Sequence, residues 1–131
     1  MNFNKERIKT RIYFLFIIIL FIITKQILGK LNPDAMGRVY VTVNGNGDGS
    51  SWGSATNDIQ AAINTNGANR VYVAIGTYNL SSSITMRNNI EIYGGFDPLN
   101  NITNLTHARI LPDAINNQGS ILKGNNSFSI I

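Results

Sequence analysis

The chain has no cysteine, a single histidine, a single tryptophan and few charged residues. Without cysteine the folded part uses no disulfides, even where an oxidising compartment would allow them. A bacterial lipoprotein anchor is excluded as well, because its acyl groups are attached to a cysteine. One histidine leaves little material for acid–base or metal chemistry, and acidic residues do not occur as adjacent pairs.

Basic residues are scarce once the first thirty positions are set aside. The whole chain carries a formal charge of +4, but beyond position 30 five basic residues face six acidic ones, a net charge of −1. The bases are Arg38, Arg70, Arg87, Arg109 and Lys123, and the acids are Asp34, Asp48, Asp58, Glu91, Asp97 and Asp113. They are not clustered. Because a nucleic-acid reader needs clustered Lys and Arg, nucleic acid is excluded as a partner.

The N-terminus has the pattern of an export signal. Lys5 to Arg11 is basic, Ile12 to Ile23 is an unbroken apolar run, and Thr24 to Gln26 end it. A basic start before an apolar stretch of this length is typical of a secretory signal, and twelve residues are fewer than the roughly 20 of a bilayer span. Residues 1–30 are therefore predicted to be a cleaved signal peptide or an uncleaved N-terminal signal anchor, followed by a linker over 31–37.

The remainder, 38–131, reads mainly as short strands separated by turns. Strands are predicted over 38–43, 71–75, 84–86, 90–93, 109–111, 121–123 and 128–131, where β-branched and aromatic residues concentrate. One short helix is predicted from Thr56 to Asn66, capped by Thr56 or Asn57, with Ile59, Ala62 and Ile63 forming an apolar stripe. The segment 97–108 is polar and rich in asparagine, which predicts a loop.

An ordered set of these segments resembles the start of secreted right-handed parallel β-helix proteins. The segments are Val39-Tyr40-Val41, the Asn/Gly turn with Gly49-Ser50-Ser51-Trp52, the helix with Ile59-Gln60-Ala61-Ala62, Val71 to Tyr78, and Ile92-Tyr93-Gly94-Gly95-Phe96. That superfold, the pectin-lyase-like one, is common in bacterial surface proteins, including the polymorphic outer-membrane type. The resemblance covers about Arg38 to Gly124.

The resemblance implies an all-β fold, a right-handed parallel β-helix of which this chain has only the N-terminal coils. The short helix would cap the coil stack, with a separate hydrophobic signal helix ahead of it. Val71, Val73 and Ile75 would stack near Ile90 and Ile92, with Gly76 and Gly94 at tight corners. The chain stops within the apolar run 128–131, so 38–131 is predicted to be truncated at its C-terminus.

Two motifs have a chemical interpretation and a plainer one. Asn44-x-Asn46-x-Asp48-Gly49 resembles the start of a calcium loop, but position twelve is Ala55 and only one carboxylate is present, which favours turn chemistry. His107, in the Asn-rich loop, has no acidic neighbour in sequence and is interpreted as a solvated loop residue.

Catalytic carboxylates and bases are equally sparse. Arg87 and Arg109 are conceivable bases of a polysaccharide lyase, and Glu91 with Asp97 is the closest pair of later acids for glycoside hydrolysis. Surface or corner positions are favoured for these arginines, because the acids are scattered singly. No catalytic, cofactor-binding or metal residue is assigned, and no cofactor is expected.

The aromatic residues leave two interpretations open. They either form a strip on which sugar rings stack, or fill the interior and seal the cap, and packing is favoured. These residues are Trp52, Tyr72, Tyr78, Tyr93 and Phe96.

The sequence thus predicts an exported, non-catalytic scaffold, secreted or on the cell surface of an outer membrane, with an adhesive or carbohydrate-contacting role. The alternative is an N-terminal fragment of a carbohydrate-active β-helix enzyme, a polysaccharide lyase or glycoside hydrolase without its catalytic coils. Expected partners are polysaccharide or cell-surface glycan and the chain's own missing C-terminal coils. The membrane is contacted only through the N-terminal segment, by an anchor if the signal is uncleaved.

Overall fold

A computed structural model describes residues 3–28, 30–113 and 116–125. The chain divides into two compact units, Met1–Lys30 and Leu31–Ile131. In the first unit, α1 runs over Phe3–Leu28 and includes the apolar run from Ile12 to Ile23. Among the described residues, no helix is both long and apolar enough to cross a membrane.

In the second unit, the described residues form five short strands and one short helix. In chain order these are β1 (Arg38–Val41), α2 (Ile59–Asn64), β2 (Arg70–Ala74), β3 (Gly76–Asn79), β4 (Glu91–Phe96) and β5 (Ser120–Lys123). Single 3₁₀ turns lie at Trp52–Ser54 and Pro98–Asn100.

The strands form two small parallel sheets. The three-stranded sheet has the order β1-β2-β4, and the two-stranded sheet pairs β3 with β5. Val39 pairs with Val71, which in turn pairs with Ile92, and one position on from these Tyr40, Tyr72 and Tyr93 are in register. The parallel direction agrees with the sequence-based expectation.

The predicted all-β right-handed parallel β-helix is wrong. The protein is a small mixed α/β protein, with a 26-residue helix and short strands in sheets of three and two, and the described residues form no solenoid. A solenoid needs every turn of chain to contribute strands to a continuous stack, and two of the predicted strands do not form.

The backbone groups of those two segments form hydrogen bonds outside a strand ladder. Thr85, in the predicted strand 84–86, exchanges both backbone groups with the side-chain amide of Gln60 on α2, at 2.8 and 3.0 Å. In the predicted strand 109–111, Ile110 N–H donates to Gly95 carbonyl, a single contact rather than a ladder. The predicted strand 128–131 lies outside the described residues.

The helix and the inner strand faces form the main core. The predicted apolar stripe of α2 is confirmed, since Ile59, Ala62 and Ile63 are all buried. They pack with the inward valines of the sheet, which are Val39, Val41, Val71 and Val73. The cap differs from the prediction: Asp58, rather than Thr56 or Asn57, precedes the first turn and accepts from Ala61 N–H at 2.8 Å.

Candidate functional site

The second face of the three-stranded sheet carries an aromatic cluster. Because side chains alternate along a strand, the residues between the buried valines point to the opposite side of the sheet. This aromatic face consists of Tyr40, Trp52, Tyr72, Tyr93 and Phe96. Of the five aromatics for which the sequence left a sugar-binding strip and interior packing open, four meet here.

Tyr78 is the exception. Its ring lies in the main core, with its hydroxyl donating to the carbonyl of Ala74 at 2.9 Å and within 3.4 Å of that of Val41. Burial raises the pKa of this phenol well above its ordinary value. Tyr78 therefore serves packing, whereas Tyr40, which the sequence-based strip left out, belongs to the aromatic face.

A bulge in β4 delivers Phe96 to the aromatic face. The register shifts so that Tyr72 pairs with Tyr93 but Ala74 pairs with Phe96, which leaves two glycines of β4 opposite Val73. Gly95 has a φ of +82°, and a Cβ there would lie 2.3 Å from the carbonyl oxygen of Ile110. Only glycine fits this position, so Gly95, rather than the predicted Gly94, provides the sharp change of direction.

The rings of the aromatic face pack against one another, and they differ in how far they are exposed. Phe96, which is fully buried, stacks on Tyr72 with ring centroids 4.6 Å apart, and Trp52 lies 5.4 Å from Phe96. Tyr93 meets Tyr72 edge-on at 6.0 Å. Tyr40, Tyr72 and Phe96 are buried, whereas Trp52 and Tyr93 are partly exposed. The buried rings form a base on which these two remain accessible to a ligand.

Trp52 is positioned by the loop that covers β1. It begins the turn Trp52–Ser54, in which Ser51 Oγ accepts from Ser54 N–H, and its indole N–H donates to Thr103 carbonyl at 3.1 Å. Within this loop the backbone at Gly47 lies close to that at Ser54, because a Cβ at position 47 would be 2.3 Å from the carbonyl oxygen of Ser54.

Arginines border the rings on two sides. The guanidinium carbon of Arg38 lies 5.7 Å from the ring centre of Tyr40, and that of Arg109 lies 5.4 Å from the ring centre of Tyr93. Both distances are in the range of cation–π interactions. Arg109 also donates to Gly94 carbonyl at 2.9 Å, and among the described residues it forms no ion pair.

The acidic residues of this face are held by hydrogen bonds. Asp34 accepts from Arg38 Nε at 2.6 Å and from Tyr40 hydroxyl at 2.9 Å. Burial alone would raise the pKa of Asp34, but the hydrogen bonds from Arg38 and Tyr40 outweigh it, and the pKa lies below its ordinary value. Burial, together with the bond to Asp34, raises the pKa of Tyr40 to about 12.

On β4, the opposite edge strand of this sheet, Glu91 is shared between two partners. It accepts from Tyr93 hydroxyl at 3.0 Å and from Arg70 Nε at 3.3 Å. The bond to Glu91 raises the pKa of Tyr93. Asp97, which with Glu91 is the closest pair of later acids in the sequence, is buried and accepts from the Asn100 amide at 2.7 Å. The two carboxylates thus have separate structural partners.

The remaining candidate residues are placed in turns and loops. Asp48 accepts from both the backbone and the hydroxyl of Ser50, which lowers its pKa, and the described residues contain no cluster of three metal-ligating side chains. His107 is exposed and its Nδ1 accepts from Thr103 N–H at 3.1 Å. Arg87 donates to the carbonyls of Thr65 and Ala68, beyond the end of α2.

Comparisons of the chain with protein-family models, with curated proteins and with solved structures found no match. The aromatic face therefore has to be interpreted from its own chemistry. Flat rings with electron-rich faces attract the C–H groups of a sugar, and the flanking arginines and carboxylates supply donors and acceptors for hydroxyls. Such an arrangement can hold a polar ligand that has one apolar face.

Proposed function

We propose that this chain is an exported, non-catalytic module, secreted or at the cell surface, that contacts carbohydrate through the aromatic face. Its export is supported by the basic residues Lys5 to Arg11 and the apolar run after them. The segment 1–30 either is removed or holds the module at the membrane.

One observation carries the carbohydrate proposal. Trp52 and Tyr93 are partly exposed at the margins of a cluster whose other three rings are buried. Aromatic side chains that present a ring while losing little conformational freedom are favoured contact residues, because their rotamers are already fixed by packing. A sugar ring against them would exchange weakly held water for C–H contacts with the aromatic rings.

The non-catalytic character is supported by the state of the neighbouring acids. The pKa of Asp34 lies below its ordinary value, so this group holds no proton to donate near neutral pH. Glu91 is occupied by Arg70 and Tyr93. Neither group is poised as an acid–base partner for cleaving a glycosidic bond.

The proposal is tested by affinity electrophoresis of the full chain in micelles of a detergent without a sugar headgroup. Native gels would contain soluble β-glucan, xylan, mannan or polygalacturonate, one in each gel. At least one polysaccharide is expected to retard the protein. Trp52→Ala and Tyr93→Ala should each weaken the apparent affinity about 5- to 10-fold, the loss expected for one aromatic contact.

Leu99→Ala is the matched control, because Leu99 is 94 % exposed and stands outside the aromatic face. It should migrate like the unsubstituted protein in every gel. Migration unaffected by all the polysaccharides, or retardation that survives both aromatic substitutions, would contradict the proposal.

A further inference from the structure

A concave surface separate from the aromatic face lies between β3 and the start of α2. This β3 groove has a volume of about 600 Å³. Asn57 and Asp58 line one wall, Thr77 and Asn79 line another, and Ser81 to Ile84 close it. Its polar lining is mostly hydroxyl and amide groups, and it shares no residue with the aromatic face.

The wall formed by β3 is a sheet edge on which some backbone groups have no hydrogen-bond partner among the described residues. Gly76 N–H donates to Gly119 carbonyl and Leu80 N–H donates to Lys123 carbonyl. The backbone N–H and C=O groups of the even-numbered residues of this stretch therefore point toward β5. In a parallel ladder the alternate residues point the other way. The N–H and C=O groups of Thr77 and Asn79 therefore face away from β5, and within the described part of the chain they have no hydrogen-bond partner.

The corresponding edge of the other sheet is covered. Tyr40 N–H donates to Gly49 carbonyl, Thr42 N–H to Thr56 carbonyl, and Thr56 N–H to Tyr40 carbonyl, so the loop after β1 satisfies the outer side of that strand. Proteins normally protect exposed strand edges in this way. The edge of β3 borders an open groove instead.

The charge of the groove indicates the charge of the ligand that it binds. Among the described residues that line the groove, Asp58 is the only charged one. One carboxylate oxygen of Asp58 accepts from Ala61 N–H, and Asp58 is exposed. Since none of the described lining residues is an arginine or lysine, a cationic ligand is favoured over an anionic one.

We propose that the β3 groove binds a short extended peptide segment that carries a lysine or arginine and adds as a strand to the edge of β3. The N–H and C=O groups of Thr77 and Asn79, which have no partner among the described residues, recur at every second residue, as those of an added strand do. Pairing of such groups with an extended chain is the basis of peptide recognition by strand addition. The cationic side chain pairs with Asp58. This partner is separate from the carbohydrate proposed for the aromatic face.

The experiment uses the full chain in micelles, labelled with ¹⁵N, and follows its backbone amides by NMR. The first probe is the blocked peptide acetyl-Thr-Val-Lys-Val-Thr-amide, and the second carries glutamine in place of lysine. Two further peptides are N-methylated, one at both valines and the other at the lysine and both threonines.

Strand addition makes a directional prediction. The lysine peptide should shift the Thr77 and Asn79 amides, and one set of N-methyl groups should abolish this effect while the other spares it, because only alternate amides face the sheet. Equal binding of both methylated peptides, or no shift with any peptide, overturns the proposal. Shifts of the groove amides by cello- or xylo-oligosaccharides, without shifts by peptides, would instead identify the groove as a sugar site and overturn it too.

Protein variants separate the contributions of backbone and charge. Asn79→Pro removes the outward-facing N–H of residue 79 and leaves the hydrogen bonds to β5 in place. It should lower the affinity for the lysine peptide about 5-fold, which is the value of one net hydrogen bond. Asn79→Ala keeps the N–H and should bind the peptide normally. Asp58→Asn keeps a residue that can cap α2. It should lower the affinity for the lysine peptide about 2- to 5-fold and leave the affinity for the glutamine peptide unchanged. Normal binding by Asn79→Pro, or equal losses for both peptides in Asp58→Asn, would contradict the proposed geometry.

Discussion

Replacement of Phe96 by alanine tests whether the aromatic face is a packed platform. Phe96 is fully buried, stacks on Tyr72 at 4.6 Å and lies 5.4 Å from Trp52, so its removal leaves a cavity beneath both rings. Truncation of a buried phenylalanine costs about 3–5 kcal/mol. A domain of about 100 residues loses roughly 4–8 °C of melting temperature per kcal/mol, so the melting temperature should fall by roughly 12–40 °C.

The assay is urea unfolding of the full chain in micelles, followed by the emission of Trp52, the only tryptophan of the chain. Phe96→Leu fills most of the space and should lose less than about 1.5 kcal/mol, while the exposed Leu99→Ala should stay within about 0.5 kcal/mol. Because Trp52 contacts Phe96, the folded-state emission should also move to longer wavelength in Phe96→Ala. A loss below about 1 kcal/mol in that variant would refute the packing argument.

Two further substitutions test the elements that hold this face in place. Gly47→Ala should cost about 1–3 kcal/mol in urea unfolding, because its Cβ would lie 2.3 Å from Ser54 carbonyl, whereas Gly53→Ala, with its nearest atom at 4.0 Å, should be neutral; equal effects would contradict the tight loop. Asp34 has a folded-state pKa below its unfolded value of about 3.9, so its contribution is complete above that pH and is lost as the pH falls through the folded-state pKa. Between pH 6 and pH 2, the unsubstituted protein should therefore lose more unfolding free energy than Asp34→Asn, and parallel curves would show that the carboxylate is uncoupled from folding.

The parts of the fold that depend on simple periodicity follow from the sequence. Alternation in Val39-Tyr40-Val41 and Val71-Tyr72-Val73 predicts one apolar and one aromatic side, and spacing of three and four residues predicts the buried stripe of α2. Both features reflect local geometry, which does not depend on distant partners. The parallel pairing of these strands also agrees with expectation.

The strand predictions that were wrong concern segments whose backbone hydrogen bonds depend on distant partners. Thr85 pairs with the side chain of Gln60, twenty-five residues away, and nothing in the apolar pattern of 84–86 reveals that competition. Strand β3 was missed because Gly76-Thr77-Tyr78-Asn79 has one apolar side chain and begins with glycine. Its strand character comes from pairing with β5.

The aromatic face was only partly predictable for a related reason. A strand without a bulge would place Gly95 beside Tyr93 on the same face and turn Phe96 to the other. Two consecutive glycines indicate an irregular backbone, but they do not reveal which of them takes the positive φ that Gly95 has. The sequence therefore supplies the candidate rings, while the bulge and the long-range contacts decide which rings meet and which remain accessible.

The central claim is that carbohydrate covers Trp52 and Tyr93 on the aromatic face, and acrylamide quenching of the Trp52 emission tests it most directly. The full chain in micelles would be titrated with the polysaccharide that retards it most strongly. We expect the quenching constant to fall to a plateau in the unsubstituted protein and in Leu99→Ala, with a markedly weaker response in Tyr93→Ala. An unchanged quenching constant at saturating polysaccharide would show that the sugar does not lie over this face.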